Sequence, residues 1–291
     1  MLTAFLILCT LILVLAVWSA WIEPRRVVIK RFEIKLEGLK APLRAVAIGD
    51  IQPNQFHWSQ DRMTALFEGL QKQENPDLVL WLGDYYNAHT DLSKKFLDDN
   101  PKLKSWIDAR MPTMDEIAHA MSHLQGRIGS FGVLGNHDWA WSGSEVRKAL
   151  EDISVVVLQD EVATANDPQN DQSIQILGYE DISSGRIPKY SAVHEKLDPN
   201  LPQIGLSHSP DAFPESLGGP PLMLSGHTHG GQIRFPILGA MVLPIRYPEY
   251  DWGWFTERHR RLYVTSGLGT SLPPLRFMCS PEVIILDLVP A

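Results

Sequence analysis

The segment SGHTHGGQI, residues 225–233, follows an apolar run and carries two histidines with one residue between them. In an extended chain such residues project to the same side, so His227 and His229 are predicted to face one point. Gly230 and Gly231 follow directly, and because they lack a Cβ they let the backbone and a ligand approach closely. This stretch therefore predicts a ligand site at the end of a buried strand.

Polar residues also follow other apolar runs of the chain. LRAVAIGD, DLVLWLGD and GSFGVLGNHD, which end at residues 50, 84 and 138, each predict a buried strand followed by glycine and polar residues. A lone Asp after a strand is commonly a turn or helix cap, but open α/β sheets also place their ligands at such strand ends. Five strand ends together supply the oxygen and imidazole donors that suit Mn, Fe or Zn, from Asp50, Gln52, Asp84, Asn136, His137, Asp138, His208, His227 and His229.

Strands and helices alternate early in the chain, and later strands follow one another more closely. The stretch SQDRMTALFEGLQKQ, with Ser59 as its cap, predicts a helix between the first two of these strands. Further helices are predicted over residues 114–124 and from near Ser144. This order predicts an α/β sandwich in which two sheets pack between helices.

The order of the motifs resembles the calcineurin-like metallophosphoesterases, which carry Asp-x-His, Gly-Asp, Gly-Asn-His-Asp/Glu, a His and Gly-His-x-His. Here the motifs stand as GDIQ, LGDYYN, GNHD, LSHSP and SGHTHGG, and the resemblance spans residues 41–288. With YVTSGLGTSLPPLRF at 263–277, the chain looks most like a membrane-associated bacterial branch that includes a UDP-2,3-diacylglucosamine pyrophosphatase of lipid A synthesis. The resemblance implies an αββα sandwich of two mixed sheets flanked by helices.

The resemblance also implies two divalent metal ions, with Mn expected and Fe, Zn or Mg as alternatives. Asp84 would bridge both ions, while Asn136, His208 and His227 would complete one site and Asp50, residue 52 and His229 the other. A hydroxide held between the ions would attack phosphorus. His137 would donate a proton to the leaving oxygen and Asp138 would orient it; the alternative is a His-Asp pair that only stabilises a turn.

Gln52 departs from the family pattern, which has a histidine at this position. Because an amide oxygen is a weaker donor than imidazole for these metals, three interpretations stay open: Gln52 binds metal directly, it binds through water, or activity is impaired. His57 lies five residues on and is a weaker candidate for the missing ligand.

Some residues after the last histidine motif, or outside every motif, also bear on function. Arg234 and Arg276 are predicted to bind a substrate phosphate by fork-like hydrogen bonds. Residues 235–255 are unusually apolar, and either touch membrane or acyl chains or pack against the sandwich. Residues 89–112 are predicted to form an insertion, either a lid or a solvated surface helix. Surface positions are predicted for the remaining histidines singled out, His89, His119, His123, His194 and His259.

The start of the chain has the length and composition of a membrane span. Residues 2–22 carry no charge, and at about 1.5 Å per residue they extend about 31 Å, enough to cross a hydrocarbon core of roughly 30 Å. No basic residue precedes them, which favours an anchor over a cleaved signal peptide. Basic residues follow at positions 25, 26, 30 and 31, and this predicts a cytoplasmic domain on the inner membrane. The predicted divisions are a transmembrane anchor at 1–24, a juxtamembrane segment at 25–40 and the catalytic domain at 41–291.

The composition narrows the classes of function. The chain is 44% hydrophobic and 21% charged, as is typical of a globular domain, and its net charge of −8 argues against a nucleic-acid partner. We therefore predict a membrane-anchored phosphodiesterase or pyrophosphatase acting on a phosphoester or lipid-linked pyrophosphate. The alternatives are a catalytically weakened scaffold of this fold and an exported periplasmic phosphatase.

Overall fold

The computed structural model describes residues 1–54, 56–88, 91–109 and 111–291. His89 lies outside these residues. The strands are β1 (Val28–Leu36), β2 (Leu43–Ile48), β3 (Leu78–Trp81), β4 (Gly129–Gly132), β5 (Val155–Val157), β6 (Glu161–Asp167), β7 (Gln172–Gly178), β8 (Gln203–Ser207), β9 (Leu222–Ser225), β10 (Arg234–Phe235), β11 (Gly239–Ala240), β12 (Gly253–Glu257), β13 (Arg260–Val264) and β14 (Glu282–Pro290). The helices are α1 (Leu2–Val17), α2 (Gln60–Glu74), α3 (Asp91–Asp98), α4 (Pro101–Asp108), α5 (Met114–Met121), α6 (Asn136–Trp141), α7 (Gly143–Asp152), α8 (Tyr190–His194) and α9 (Ala212–Glu215).

The described strands build two mixed six-stranded sheets and one small hairpin. The first sheet has the order β1-β14-β2-β3-β4-β5, in which only the β14–β2 pair is antiparallel. The second has the order β12-β13-β9-β8-β7-β6, with antiparallel pairs at both edges. Strands β10 and β11 form the separate hairpin. This confirms the predicted α/β sandwich of two mixed sheets.

Alternation along the strands explains why the sheets stack between helices. In β2, Val46 and Ile48 face a core shared with Phe67 of α2 and Ile117 of α5, whereas the alternate alanines lie in the core between the two sheets. A third core, which includes Met223 of β9, covers the outer face of the second sheet. Successive strand residues point to opposite faces, so a strand buried on both sides reads as a continuous apolar run.

The predicted helices occur close to their expected positions. Ser59 occupies the N-cap position of α2 in an extended conformation, but its side chain makes no capping hydrogen bond. The predicted helix at 114–124 ends at Met121, and its first turn is fixed by a capping box between Thr113 and Glu116. The predicted insertion contains the surface helices α3 and α4.

Helix α1 is followed by a wider π-helical turn at Trp18–Ile22 and by a tighter 3₁₀ turn at Glu23–Arg25. The span Leu2–Arg25 has a mean hydropathy of 2.6, and it is long and apolar enough to cross a membrane. No residue of α1 is buried, whereas Glu23 and Pro24 at the end of the span are. The segment predicted as juxtamembrane contains β1, which pairs in parallel with β14 from Val28–Glu282 to Leu36–Pro290. The sheet therefore extends into residues 25–40, because β1 covers an edge of β14.

Candidate metal centre

The strand-end motifs meet where the carboxyl ends of the two sheets lie side by side. Asp84, His208 and His227 are buried, and each offers a ligand atom within 4.8 Å of the others. Asn136 joins them, since its Oδ1 lies 3.2 Å from Nε2 of His208. Residues from the ends of β3, β4, β8 and β9 thus form one cluster.

Main-chain carbonyls fix the orientation of two imidazole rings in this cluster. Nδ1 of His208 lies 2.8 Å from the Leu82 carbonyl, and Nε2 of His227 lies 3.0 Å from the Pro244 carbonyl. Because a carbonyl only accepts, these nitrogens are the donors. Nε2 of His208 and Nδ1 of His227 then face each other at 3.2 Å, and metal-binding histidines are oriented by carbonyls in the same way.

Asp84 is the carboxylate at the centre of the cluster. Its Oδ2 lies 3.3 Å from Nε2 of His208 and accepts a hydrogen bond from Nε2 of Gln52, while Oδ1 accepts from the main-chain N–H of His137. Burial alone would raise the pKa of the Asp84 carboxyl, but positive charge on His208 and His137 holds that pKa well below its ordinary value. Asp84 is therefore a buried anion that nearby positive charge stabilises.

Asp50 and His229 form a second pair of donors beside the first cluster. Nε2 of His229 lies 3.7 Å from Oδ1 of Asp50, and neither ring nitrogen of this buried histidine has a hydrogen-bond partner among the described residues. Burial and the charge of Arg276 hold the pKa of His229 well below its ordinary value. Burial raises the pKa of the Asp50 carboxyl to about 7. A neutral imidazole with unsatisfied nitrogens beside a carboxylate is a donor set that fits a divalent metal ion.

Gln52 is completely buried and belongs to this site. Its amide nitrogen faces Asp84 at 2.7 Å, and its Oε1 lies 3.4 Å from the Ser271 hydroxyl. Nε2 of His57 lies 3.0 Å from the Pro274 carbonyl, its Nδ1 has no hydrogen-bond partner among the described residues, and its role as a weaker candidate ligand stays a prediction.

A left-handed backbone, and not an extended one, positions the metal-site donors. Strand β9 ends at Ser225, and a short helical turn then covers His229–Gly231. The expectation that His227 and His229 share a face through strand alternation is therefore wrong. Both have positive φ, and so do three other site residues, Asp50, Gln52 and Asp84. Such conformations cost about 1–3 kcal/mol each and cluster at functional sites.

Two motif glycines are required by close approach to the carboxylates. A Cβ on Gly135 would lie 2.2 Å from Oδ1 of Asp84, and one on Gly226 would lie 2.4 Å from Oδ2 of Asp50. Both distances are far below van der Waals contact. The glycines therefore allow the loops to close on the ligand carboxylates.

Asp138 links the loop after β3 to the loop after β4. Its two oxygens accept hydrogen bonds from the main-chain N–H groups of Asp84, Tyr85, Tyr86 and Gly135, at 2.9 to 3.1 Å. These contacts stabilise the turns around Asp84, and the orientation of His137 by Asp138 stays a prediction.

The two candidate arginines differ in their availability to a substrate. Arg276 is fully buried, and its guanidinium donates to the carbonyls of Ser266, Gly267, Gly269 and Cys279. The prediction that it binds substrate is wrong, because its donors are already engaged within the loop that packs against Asp50 and Gln52. Arg234 uses Nη1 to contact Asp251 at 2.7 Å and the Gly230 carbonyl at 2.9 Å.

The carbonyls of Leu82 and Pro244 are functional groups that the sequence did not reveal. Any residue carries such a carbonyl, so only the folded loop shows which one orients a histidine.

The apolar residues of the segment 235–255 are partly exposed and partly buried. Ile237, Leu238 and Val242 are exposed, whereas Tyr250 is buried in the outer core of the second sheet.

The comparison with known proteins agrees with this geometry. Residues 43–231 match the family model described as calcineurin-like phosphoesterase. The phosphodiesterase YaeI of Escherichia coli is 29% identical over 254 residues, which cover 86% of this chain and 83% of that protein. The uncharacterized metallophosphoesterase YkuE of Bacillus subtilis is 29% identical over 217 residues, covering 74% and 69%. LpxG of Chlamydia muridarum, a UDP-2,3-diacylglucosamine pyrophosphatase, is 23% identical over 325 residues, covering 93% and 92%. The chain therefore belongs to the calcineurin-like phosphoesterase family of hydrolases.

Proposed function

We propose that this protein is a membrane-anchored, metal-dependent phosphodiesterase or pyrophosphatase that acts on a lipid-linked substrate at the cytoplasmic face of the inner membrane. The observation that carries the proposal is the buried cluster of Asp84, His208 and His227, in which a carbonyl holds one nitrogen of each imidazole and the other nitrogen lies in the cluster. A cluster built in this way is a site for a cation and not for a structural hydrogen bond alone.

The donors divide into two sets around Asp84. We assign His208, His227 and Asn136 to one ion and Asp50, His229 and Gln52 to the other, with Asp84 between them. Two divalent ions, expected to be Mn, would stabilise negative charge on the phosphoryl oxygens and lower the pKa of a water molecule. His137 follows Asn136 directly, and we assign it the proton that the leaving oxygen takes up.

The N-terminal helix supports the choice of a lipid-linked substrate. A protein tethered to the bilayer meets molecules held in the same plane at a raised effective concentration. The basic residues behind the helix favour a cytoplasmic domain. The relatives support the bond type, since YaeI is a phosphodiesterase and LpxG cleaves UDP-2,3-diacylglucosamine. We take UDP-2,3-diacylglucosamine as the first substrate to test.

The test is hydrolysis by the purified full chain with Mn, Mg, Fe or Zn. The panel contains an aryl phosphomonoester, an aryl phosphodiester and UDP-2,3-diacylglucosamine, each presented in detergent micelles. We expect the pyrophosphate and the diester to be cleaved and Asp84→Asn to lose nearly all activity. Asp171→Asn, at an exposed acid that precedes the amino end of β7, should keep it. Activity confined to the monoester would overturn the lipid-linked proposal, and an active Asp84→Asn would overturn the site.

A scaffold of this fold with weakened catalysis is the second candidate. It is favoured by one observation, the hydrogen bond from Gln52 to Asp84 at a position where the family has histidine. A scaffold would bind at most one ion and stay inert, whereas the enzyme turns over when Mn is added. A reporter fused to the C-terminus separates the cytoplasmic domain from a periplasmic one.

A further inference from the structure

We propose that an apolar rim around the end of the N-terminal helix inserts into the bilayer interface and holds the metal centre against the membrane. The rim consists of Phe56, Trp106, Ile237, Leu238, Met241 and Val242, all exposed. The inference rests on the proposed membrane anchoring and adds a second, independent contact with the lipid.

The end of the helix is fixed to the loops beside the metal centre. The Ser19 carbonyl accepts a hydrogen bond from the main-chain N–H of Arg276 at 2.9 Å, and Glu23 accepts one from the Ser280 hydroxyl at 2.7 Å. Arg25 donates to the Phe56 carbonyl. The loop from Ser266 to Ser280 and the loop containing Phe56 therefore lie at the level where the chain leaves the membrane.

One part of the rim is the β10–β11 hairpin. Ile237 at its tip is fully exposed and Leu238 is 72% exposed. Phe235 in β10 packs on Phe277 with ring centroids 5.8 Å apart, and Phe277 directly follows Arg276, which binds the helix end. The hairpin thus projects its apolar tip beside the anchor.

The other part of the rim lies beside Arg25, at the end of the N-terminal helix. Phe56, whose carbonyl accepts from Arg25, packs on Trp106 of α4 with ring centroids 5.5 Å apart. Both rings remain partly exposed. Tryptophan is enriched at the membrane interface because its ring is amphipathic, and Phe56 adds apolar surface beside Trp106.

The rim is also joined to the metal centre. The Pro244 carbonyl, which orients His227, lies two residues beyond Val242. A substrate whose acyl chains stay in the bilayer can therefore present its phosphate beside the rim.

The bilayer is the occupant that the chain itself supplies. The rim is connected to the end of an apolar helix, because Arg25 donates to the Phe56 carbonyl and Phe277, beside Arg276, packs on Phe235 of the hairpin. Large exposed apolar patches mark interaction surfaces, and a membrane crossed by α1 covers this one without a further partner.

The test places a fluorophore at the rim of the full chain. On a Cys9→Ser background, Leu238→Cys is labelled with an environment-sensitive dye, and buried Cys279 stays unlabelled. The matched control is Leu217→Cys, since Leu217 is 67% exposed and precedes the amino end of β9, away from the strand ends that carry the metal centre. Both proteins are reconstituted into vesicles of phosphatidylethanolamine and phosphatidylglycerol that contain a nitroxide-labelled lipid.

We expect several-fold stronger quenching at Leu238→Cys than at Leu217→Cys. Equal quenching at the two positions, in protein that floats with the vesicles, would overturn the insertion of the rim into the bilayer. It would leave the anchor intact and would leave the rim open to a protein partner instead. Protein that does not float with the vesicles overturns anchor and rim together.

A second measurement links the rim to turnover. The pair Ile237→Ser and Leu238→Ser should lower hydrolysis of a vesicle-borne substrate several-fold and leave hydrolysis of a soluble aryl diester unchanged. Loss of both activities would mark a folding defect and would contradict a role confined to lipid contact. Lack of any hydrolysis by the parent protein would count against the proposed function, and the quenching result would stand apart from it.

Discussion

Nε2 of Gln52 donates a hydrogen bond to Oδ2 of Asp84 across 2.7 Å, and both side chains are completely buried. The amide turns its nitrogen toward the carboxylate because two oxygens at that distance would repel. Gln52 therefore supports the carboxylate that we assign to both ions, in a position where a family member with histidine would supply a ligand.

Two different substitutions of Gln52 should change the metal affinity in opposite directions. We expect Gln52→Ala to weaken binding of the second ion by about 10- to 100-fold, as loss of a hydrogen-bond partner of a ligand does. Gln52→His should tighten it, since imidazole is the stronger ligand for Mn or Zn. Metal content after dialysis and the Mn dependence of activity measure both effects. Unchanged affinity in both variants would mean that Gln52 has no part in metal binding.

Removing His137 should slow turnover without removing metal. We expect His137→Ala to lower kcat by about 10²- to 10⁴-fold, as loss of a general acid does, while bound metal stays at the parent level. The loss should be smaller for an aryl leaving group, which needs less protonation. His119→Ala, on the exposed face of α5, is the control, and an equal loss for all leaving groups would rule out the proton-donor role.

A methyl group at Gly135 should disturb Asp84 directly. Its Cβ would fall 2.2 Å from Oδ1 of Asp84, so Gly135→Ala should lose metal and activity together. The matched variant is Gly69→Ala in α2, where a Cβ meets nothing within 4 Å and where alanine stabilises the helix by up to about 1 kcal/mol. Metal analysis and thermal unfolding compare the two, and a metal-replete Gly135→Ala would contradict the tight fit.

Replacing Arg276 should lower the stability of the protein more than its affinity for substrate. Lysine cannot reproduce the fork of hydrogen bonds to four carbonyls, so we expect Arg276→Lys to lower the free energy of unfolding by about 3 kcal/mol. Arg234→Lys should change stability much less, because Arg234 contacts its partners through one nitrogen. Urea unfolding measures both. A stable Arg276→Lys with a raised KM would restore the role in substrate binding.

The buried Asp167 should make stability depend on acid pH. Hydrogen bonds from Arg127, at 2.8 Å, and from Asn170 and Gln172 hold its pKa well below the ordinary value. Its stabilisation is therefore complete above the unfolded pKa of about 3.9 and is lost as the pH falls toward the folded pKa. Asp167→Asn should destabilise the protein by about 1–3 kcal/mol at neutral pH.

The difference in the free energy of unfolding between Asp167→Asn and the parent should become smaller below about pH 4. The control is Asp171→Asn, at a fully exposed carboxylate that pairs with the exposed Lys40. Urea unfolding at a series of pH values follows all three proteins, and a difference that does not change with pH would contradict the ionic origin.

The sequence predicted the elements of the site better than its geometry. Strand ends and motif order identified Asp84, His208 and His227, because buried apolar runs followed by polar residues are local signals. The conformation around His227 and His229 could not be predicted in this way. Their left-handed backbone depends on long-range contacts, such as the hydrogen bond from the main-chain N–H of His227 to Asp50.

Arg276 shows the same limit for side chains. A basic residue in a motif-rich loop suggests a phosphate ligand, and only the folded loop shows that carbonyls surround the guanidinium. The contribution of β1 was missed for a related reason. Its partner β14 lies at the far end of the sequence, and no local pattern indicates which strand will pair with residues 28–36.

The position of β14 between β1 and β2 also determines when the protein can finish folding. Every other strand of the first sheet leaves the ribosome before β14 does. At roughly 5–20 residues per second, β1 and β2 wait roughly 10–50 s for the strand that separates them. During that interval both strands present unpaired edges, and such edges can pair with the wrong strand. Closure of the first sheet therefore follows the synthesis of β14 and comes after its other strands have been made.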